Sequence, residues 1–360
     1  MNGLYELYTA LKEATSRTIN SSFETFMDNE INIPKGIRSI ASTSQKHLRE
    51  FLSSEEDRDD TFPRVLLIED NDFLGGSFAR HTKIWPLDDI DVYIPLDGHS
   101  LFYSEWGMVQ PYTVVSDSII TSNPLLKPRW MKGQYISSQK LISEFATVLN
   151  RHYPNQTKIK ANRQAVSIRM THGETNSGGG LGYDVVPCFL MKPHNNTELP
   201  FYLMPNGNDG WIRTNPRLDN EISKQVNTSN DKTYRKTVKL IKYWNNLKLK
   251  GSINSYYIEL AIARIYLLTN ARNEYVRKTS FGVALGFWTL KNTIQKGNQA
   301  AFILRAPAVE PGKIGLYDSL ILGADTLKAN QAWELEKAGK EIEAISKWKE
   351  IFGDDFPDAN

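Results

Sequence analysis

The sequence has a single cysteine, Cys188, and no long apolar run. One cysteine excludes a disulfide within the chain, and it also excludes a zinc site built on several thiolates. The longest apolar stretch lies near residues 259–269, is interrupted by Arg264, and is too short to cross a bilayer. The first twenty residues lack the apolar core of a signal peptide. We therefore expect a cytoplasmic protein with no membrane contact.

The chain also lacks a large excess of charge of either sign. Its 43 Lys and Arg residues are nearly balanced by 41 Asp and Glu, which gives a net charge of +2. A charge this small attracts no nucleic acid over the whole surface, so any such contact would need a local basic patch. Hydrophobic residues make up 40% of the 360 residues, enough for the core of one large globule or of two lobes.

Hydrophobic periodicity predicts helices towards both ends of the chain and strands in the middle, which indicates an α+β fold. Helical spacing is found at Leu4, Leu7, Tyr8 and Leu11 and in the ranges 39–53, 138–151, 233–247, 255–268 and 325–352. Strand patterns are found at 64–70, 89–96, 165–170 and 183–191. The ranges 101–133 and 206–220 are predicted to be irregular.

These patterns divide the chain into three parts. Residues 1–60 are predicted to form N-terminal helices that pack across both lobes, 61–205 a core with a mixed sheet, and 206–360 a helical lobe. A glycine-rich piece at 176–182 joins two predicted strands. It lacks the Gly-Lys-Ser/Thr ending of a phosphate-binding loop and is followed by a strand, so a hairpin turn is the better interpretation.

One segment carries a pattern with a specific chemical meaning. Gly76 and Ser77 open a short helical turn, and Asp89 and Asp91 follow on a predicted strand. Backbone N–H groups and a hydroxyl at a helix start bind anions such as phosphate, and a glycine lets the anion approach closely. Because strand side chains alternate, the two aspartates share one face and can share oxygen-liganded cations.

Such a site needs a third carboxylate, and Asp184, at the head of a predicted apolar strand, is the best candidate. Three crowded carboxylates repel one another unless metal neutralises them. Two ions about 3.5–4 Å apart would activate an attacking hydroxyl and stabilise a leaving pyrophosphate. The alternatives are exposed strand positions for Asp89 and Asp91, and a turn position for Asp184.

The order of these motifs resembles that of the polymerase-β-like nucleotidyltransferase superfamily. The residues within and around these motifs resemble most closely those of the cGAS/DncV-like nucleotidyltransferases (CD-NTases), the bacterial cyclic oligonucleotide synthases of CBASS antiphage systems. The similar pieces extend from about residue 65 to 356. They read GSFARHTKIWPLDDIDVYI, YDVVPCF, YRKTVKLIKYWN, NSYYIEL and AISKWKEIFGDDFP. The resemblance implies a nucleotidyltransferase core over 61–205 and a nucleotide-binding helical lobe over 206–360.

The resemblance also implies roles for further residues. Lys242 matches a lysine that binds donor phosphates, Ser255 a phosphate-contacting serine, and Tyr256 an aromatic residue that stacks on a base. Lys239 lies three positions before Lys242 on the same helix, so the two share a face. Arg80 is a further candidate for phosphate contact. The alternatives are a solvated lysine pair and core packing for Tyr256.

The activity that the resemblance implies is synthesis of a cyclic di- or trinucleotide from nucleoside triphosphates, ATP among them, in bacterial antiphage defence. It implies two Mg²⁺ ions, or Mn²⁺ in their place, held by the three aspartates. It implies an effector that binds the product and CBASS regulatory proteins, either HORMA-type activators or ubiquitin-like conjugation machinery. With one cysteine and six unclustered histidines, the zinc-dependent DNA binding of the animal synthase has no basis here.

Two other functions remain open at this stage. One is a linear nucleotidyltransferase, such as a 2′-5′ oligoadenylate or RNA-modifying enzyme, although no obvious basic stripe supports RNA binding. The other is a nucleotide- or protein-binding module that has lost catalysis, against which the presence of all three carboxylates argues.

Overall fold

The structure is a computed structural model of the chain, and it describes most of the sequence. The described residues are 18–66, 74–98, 101–105, 112–115, 124–154, 159–170, 181–192, 199–269, 277–297 and 309–359. The predicted first helix at residues 4–11, the end of the predicted strand at 64–70, and most of the glycine-rich piece lie outside these ranges.

Within the described ranges, a mixed sheet of ten strands forms the first lobe. In chain order β1 to β10 are Ile90–Leu96, Phe102–Glu105, Tyr112–Val115, Met131–Lys132, Tyr135–Ile136, Ile159–Ala161, Val166–Met170, Leu181–Met191, Phe201–Pro205 and Trp211–Thr214. The long strand β8 is central, because it pairs in parallel with β1 and antiparallel with β7 and β9. The strands that continue the sheet beyond β9 are antiparallel.

The helices flank the sheet and build the second lobe. In chain order α1 to α10 are Ile19–Phe26, Lys35–Ser53, Gly76–Ala79, Ser138–His152, Pro216–Ser229, Thr233–Leu249, Ser255–Thr269, Thr279–Gln295, Leu316–Lys337 and Glu341–Phe352. A short π-helical segment, Met27–Ile31, extends α1. None of the helices in the described ranges combines the length and apolarity that a bilayer crossing requires. The predicted α+β class is confirmed.

Two large hydrophobic cores hold these elements together. The back face of the sheet packs on α2 and α4, with Val92, Val185 and Phe145 fully buried. The helical lobe has its own core, in which Phe23 of α1 meets Trp348 of α10 with ring centroids 5.2 Å apart. The N-terminal helices therefore contact both cores: α1 packs in the helical lobe, and α2 contributes Leu48 to the core behind the sheet.

Several predicted elements need correction. The range 206–220 is not a loop, because it contains β10 and the start of α5; β10 completes the sheet although it lies beyond residue 205. The range 101–133 contains β2, β3 and β4. The predicted helix 325–352 is two helices, since Gly339 adopts a left-handed φ of 72° between them. Helix α2 begins at Lys35, four residues before its predicted start.

Candidate active site

Two of the predicted aspartates are direct neighbours across strands β1 and β8. In this parallel pair Asp91 lies opposite Asp184, so both side chains project from the same face of the sheet. Neighbouring strands are about 4.8 Å apart. Burial, reinforced by the charges of Asp184 and Asp89, raises the pKa of Asp91 from 3.8 to about 7. Strand β7, which pairs with β8, adds Ser167, whose hydroxyl donates a hydrogen bond to Asp184.

The Gly-Ser turn packs directly against Asp91. Gly76 has a φ of 62°, and a Cβ atom there would lie only 1.6 Å from Oδ2 of Asp91. The preceding residue, Gly75, donates its N–H to the carbonyl of Asp91 at 3.0 Å. Helix α3 is a single turn of four residues, so it lacks the dipole of a long helix. The groups of this turn that could bind an anion are its backbone N–H groups and the hydroxyl of Ser77.

Asp89 differs from the other two aspartates in position and contacts. It precedes β1, which begins at Ile90, rather than lying on the strand as predicted. Its carboxylate contacts the ammonium of Lys83, which also lies 2.6 Å from Oδ1 of Asp88. Within the described residues, no three His, Cys, Asp or Glu side chains are gathered closely enough to ligate one ion. In the structure the carboxylate of Asp89 is therefore paired with Lys83 and is not part of a three-carboxylate cluster.

A buried ion triad, formed by Arg80, Glu259 and Lys242, joins the two lobes. Arg80, just after the Gly-Ser turn, donates to Glu259 of α7 through Nε at 2.7 Å and Nη2 at 3.3 Å. Lys242 of α6 donates to the same carboxylate at 2.6 Å. Their exposed fractions are 5%, 1% and 4%, so water screens none of these charges well. Although burial opposes ionisation, the two cations hold the pKa of Glu259 at about 2.

Tyr256 lies against this triad. The guanidinium of Arg80 is 4.9 Å from the centre of its ring, which is a cation–π contact. The hydroxyl of Tyr256 donates a hydrogen bond to Oδ2 of Asp219 at 2.8 Å, and Asp219 is itself buried. The ring is therefore held in one orientation between the first turn of α7 and helix α5.

These groups surround a cavity of about 570 Å³ between the sheet and the helical lobe, called the main cavity below. That volume is within the usual range for sites of small ligands. Eight of the ten predicted site residues line it: Gly76, Ser77, Arg80, Asp89, Asp91, Lys242, Ser255 and Tyr256.

The other two predicted residues do not line the main cavity. Asp184 reaches the site only as the strand neighbour of Asp91. Lys239 donates to Oδ1 of Asn32 at 2.8 Å, so it points towards the N-terminal helices rather than to the site of Lys242. Burial, together with the nearby cation of Arg38, lowers the pKa of Lys239 to about 8.

Sequence reasoning missed three charged residues of the site: Glu259, Asp219 and Lys83. Glu259 had a readable signal, since it is the one acid in the apolar run YYIELAIA, and a buried acid is almost always paired. No such signal was readable in the sequence for Lys83 and Asp219, because each lies next to other polar residues, where a charged side chain is expected to be solvated.

The chain is similar to known proteins over almost its whole length. No protein-family model matches the sequence. A probable cyclic nucleotide synthase from Bacillus cereus strain VD146 is 25% identical over 355 residues, which covers 95% of this chain and 98% of that protein. The resemblance to CD-NTases that the motifs indicate is confirmed.

Solved structures of CdnC from E. coli MS115-1, a CD-NTase, match with a TM-score of 0.60. The structure with ATP is 18% identical in sequence, and the complex with HORMA-deltaN is 19% identical. Each match covers 94% of this chain and 98% of the CdnC chain. At this identity the likeness shows that the chain shares the fold of CdnC, and it shows no more than the fold.

Proposed function

We propose that this chain, whose sequence is similar to that of a cyclic nucleotide synthase and whose fold is that of CdnC, joins nucleoside triphosphates into a cyclic di- or trinucleotide. The similarity to such proteins supports a nucleotidyltransferase enzyme. The observation that carries the proposal is the pairing of Asp91 with Asp184 beside Gly76, at the wall of a cavity of nucleotide size.

The donor set fits divalent metal. Asp91 and Asp184 are adjacent carboxylates, and burial together with this crowding raises the pKa of Asp91. A cation would relieve that repulsion, and hard ions such as Mg²⁺ or Mn²⁺ prefer carboxylate oxygens. Asp89, Asp91 and Asp184 would hold two ions. When bound, they would polarise the α-phosphate and the attacking hydroxyl and offset charge on the leaving pyrophosphate.

The chain's own groups would position the triphosphate. Gly76 and Ser77 line the main cavity next to Asp91, and the N–H groups of the turn and the hydroxyl of Ser77 would bind the phosphates. Lys242 and Arg80 supply positive charge at the cavity wall, and Glu259 binds both of them. Ser255 begins α7 at the cavity wall, and Tyr256 offers an aromatic ring to a base. Orienting the reactants in this way is where most of the rate enhancement of phosphoryl transfer arises.

For a dinucleotide the reaction then follows as two similar steps, and for a trinucleotide a third triphosphate is joined in the same way, with release of one more pyrophosphate, before the ring closes. The 3′- or 2′-hydroxyl of one nucleotide attacks the α-phosphorus of another, a new P–O bond forms, and the bond to pyrophosphate breaks. The hydroxyl proton passes to an ionised carboxylate of the site or to water. The linear product turns over in the cavity, and its own hydroxyl attacks its remaining α-phosphorus, which releases a second pyrophosphate and closes the ring.

The biological setting is part of the same proposal. CdnC has been solved with ATP and in a complex with HORMA-deltaN. By that similarity we propose ATP among the substrates, a HORMA-type or other CBASS regulator as a partner, and antiphage defence through an effector that binds the product.

The test is product analysis with the purified protein. We expect incubation with the four ribonucleoside triphosphates and Mg²⁺ or Mn²⁺ to give a phosphatase-resistant oligonucleotide, identified by mass spectrometry. Asp89→Asn combined with Asp91→Asn should abolish it, whereas Asp97→Asn, at the end of the same strand segment, should not. Phosphatase-sensitive products would indicate linear transfer. Stabilisation by a non-hydrolysable triphosphate without turnover under any condition would indicate a silent binding module.

A further inference from the structure

A second cavity, of about 550 Å³, shares the Gly76–Ala79 turn with the main cavity as a common wall. Phe78 and Ala79 of the turn line this second cavity, whereas Gly76 and Ser77 line the main one. The other walls come from helices α2, α5 and α6. We call it the basic cavity, and its lining residues include Arg38, Arg217, Lys224, Arg235, His81 and Glu221.

The charge of the basic cavity is strongly unbalanced. Four cationic side chains and a single carboxylate line it, an excess of three positive charges. The whole chain carries a net charge of only +2, so this is a local concentration rather than a sample of the surface. Lys239 adds to the positive field, because its charge, with those of Arg38 and Arg235, acts on His81.

Two cations of the basic cavity, Arg38 and Arg235, have no carboxylate partner within the described part of the chain. The Nε of Arg235 is buried and has no hydrogen-bond partner there either. Arg38 instead contacts Nδ1 of His81, and its guanidinium carbon lies 5.1 Å from the centre of the Phe78 ring. Burial, reinforced by these cations, lowers the pKa of His81 to about 4, so the imidazole is neutral at physiological pH.

We propose that the basic cavity binds a small anion carrying a chain of phosphate groups, at a site separate from the substrate cavity. Arginine guanidinium groups bind phosphate oxygens through paired hydrogen bonds, and Arg38 and Arg235 are available to do so. The volume suits a molecule the size of a nucleotide or of tripolyphosphate. A concave site between three helices favours a small anion over a nucleic-acid duplex, whose backbone runs along an extended surface.

The shared turn gives such binding a consequence for the main cavity. An anion held by Arg38 and Arg235 would also fix His81 and the ring of Phe78, and with them the turn that places Gly76 against Asp91. Occupancy of one cavity would then change the affinity of the other. This coupling rests on the proposed function; the binding itself does not.

The test is calorimetric titration of the intact chain with inorganic tripolyphosphate in EDTA, where no turnover occurs. Arg38→Gln combined with Arg235→Gln should weaken binding by about tenfold or more, because each arginine would form charged hydrogen bonds with phosphate oxygens. Lys224→Gln, at an exposed position on the rim, should weaken it by about threefold or more through lost charge alone. Lys160→Gln, an exposed lysine that lines neither cavity, is the matched control and should bind as the parent does.

Further titrations locate the anion and define its source. Lys242→Gln should leave the affinity for tripolyphosphate unchanged. The proposal would be overturned if Lys242→Gln lost binding, or if both basic-cavity variants bound tripolyphosphate as tightly as the parent. It would also be overturned if the parent protein did not bind tripolyphosphate. In Lys242→Gln, ATP binding that is tighter than tripolyphosphate binding and is weakened by Arg38→Gln with Arg235→Gln would identify a nucleotide, and equal affinity a bare polyphosphate. A short DNA duplex that displaces tripolyphosphate and depends on the same residues would replace the small anion with nucleic acid.

Discussion

Arg80 and Glu259, 179 residues apart in the chain, form a two-point ion pair at 2.7 and 3.3 Å that is almost completely buried between the lobes. Lys242 completes the triad from a third element. The pair connects the residue that follows the Gly-Ser turn to the helix that carries Tyr256. The position of the Gly-Ser turn relative to α7 therefore depends on one carboxylate.

Replacing that carboxylate should destabilise the whole protein. Glu259→Gln leaves Arg80 and Lys242 buried without a counter-charge, which should lower the free energy of unfolding by about 3–5 kcal/mol. Urea unfolding followed by circular dichroism measures this. Glu50→Gln, which removes one partner of an exposed pair with Lys46, is the control and should cost less than about 1 kcal/mol. A similar small loss for Glu259→Gln would show that the triad contributes little.

The same carboxylate should make stability depend on pH. The pKa of Glu259 falls from an ordinary 4.5 to about 2 in the folded chain, so below pH 4.5 the unfolded chain binds more protons than the folded one. Its contribution is thus complete above pH 4.5 and is lost as the pH falls towards 2. The difference in unfolding free energy between the parent and Glu259→Gln should shrink over that interval. A constant difference across it would contradict the assignment.

Gly76 should tolerate no side chain. Gly76→Ala requires an alanine at a left-handed φ of 62° and places its Cβ within 1.6 Å of Asp91, so we expect product formation to fall by about a hundredfold or more. Gly323→Ala is the matched control, since its Cβ would meet nothing within 4 Å on a regular helix. It should keep full activity and stabilise the fold by up to about 1 kcal/mol. An active Gly76→Ala would remove the turn from the site.

The two lysines of α6 should separate in a kinetic experiment. Lys242 lines the main cavity and Lys239 does not, so Lys242→Gln should raise the KM for ATP by about tenfold, and Lys239→Gln should change it by less than about twofold. Initial rates over a range of ATP concentrations measure both. An equal increase in the two variants would restore Lys239 to the phosphate site that its helical spacing predicts.

Much of the site could be predicted because its chemistry requires unusual residues at fixed positions. Gly76-Ser77 and Asp91 lie in one continuous segment, and an aspartate within a β-rich strand is rare enough to stand out. Asp184 was found by the same reasoning, and the strand register that brings it to Asp91 joins segments more than ninety residues apart. Local patterns do not encode that register.

What could not be predicted depends on contacts between the lobes. Helical spacing places Lys239 and Lys242 on one face. In the structure Lys239 contacts Asn32, whereas Lys242, about one turn further along the helix, contacts Glu259. Strand β10, Trp211–Thr214, is only four residues long, and its pairing with β9 and β3 makes it a strand. In both cases tertiary contacts decide between local alternatives that the sequence leaves equal.

The most direct test of the account is a double-mutant cycle on Asp91 and Asp184, read as kcat/KM for product formation. If the two carboxylates act on the same bound ions, Asp91→Asn and Asp184→Asn should each lose about as much activity as the double variant does. The folded state of each variant can be verified by thermal unfolding. Losses that simply add, or an Asp184→Asn variant with nearly full activity, would contradict the paired site.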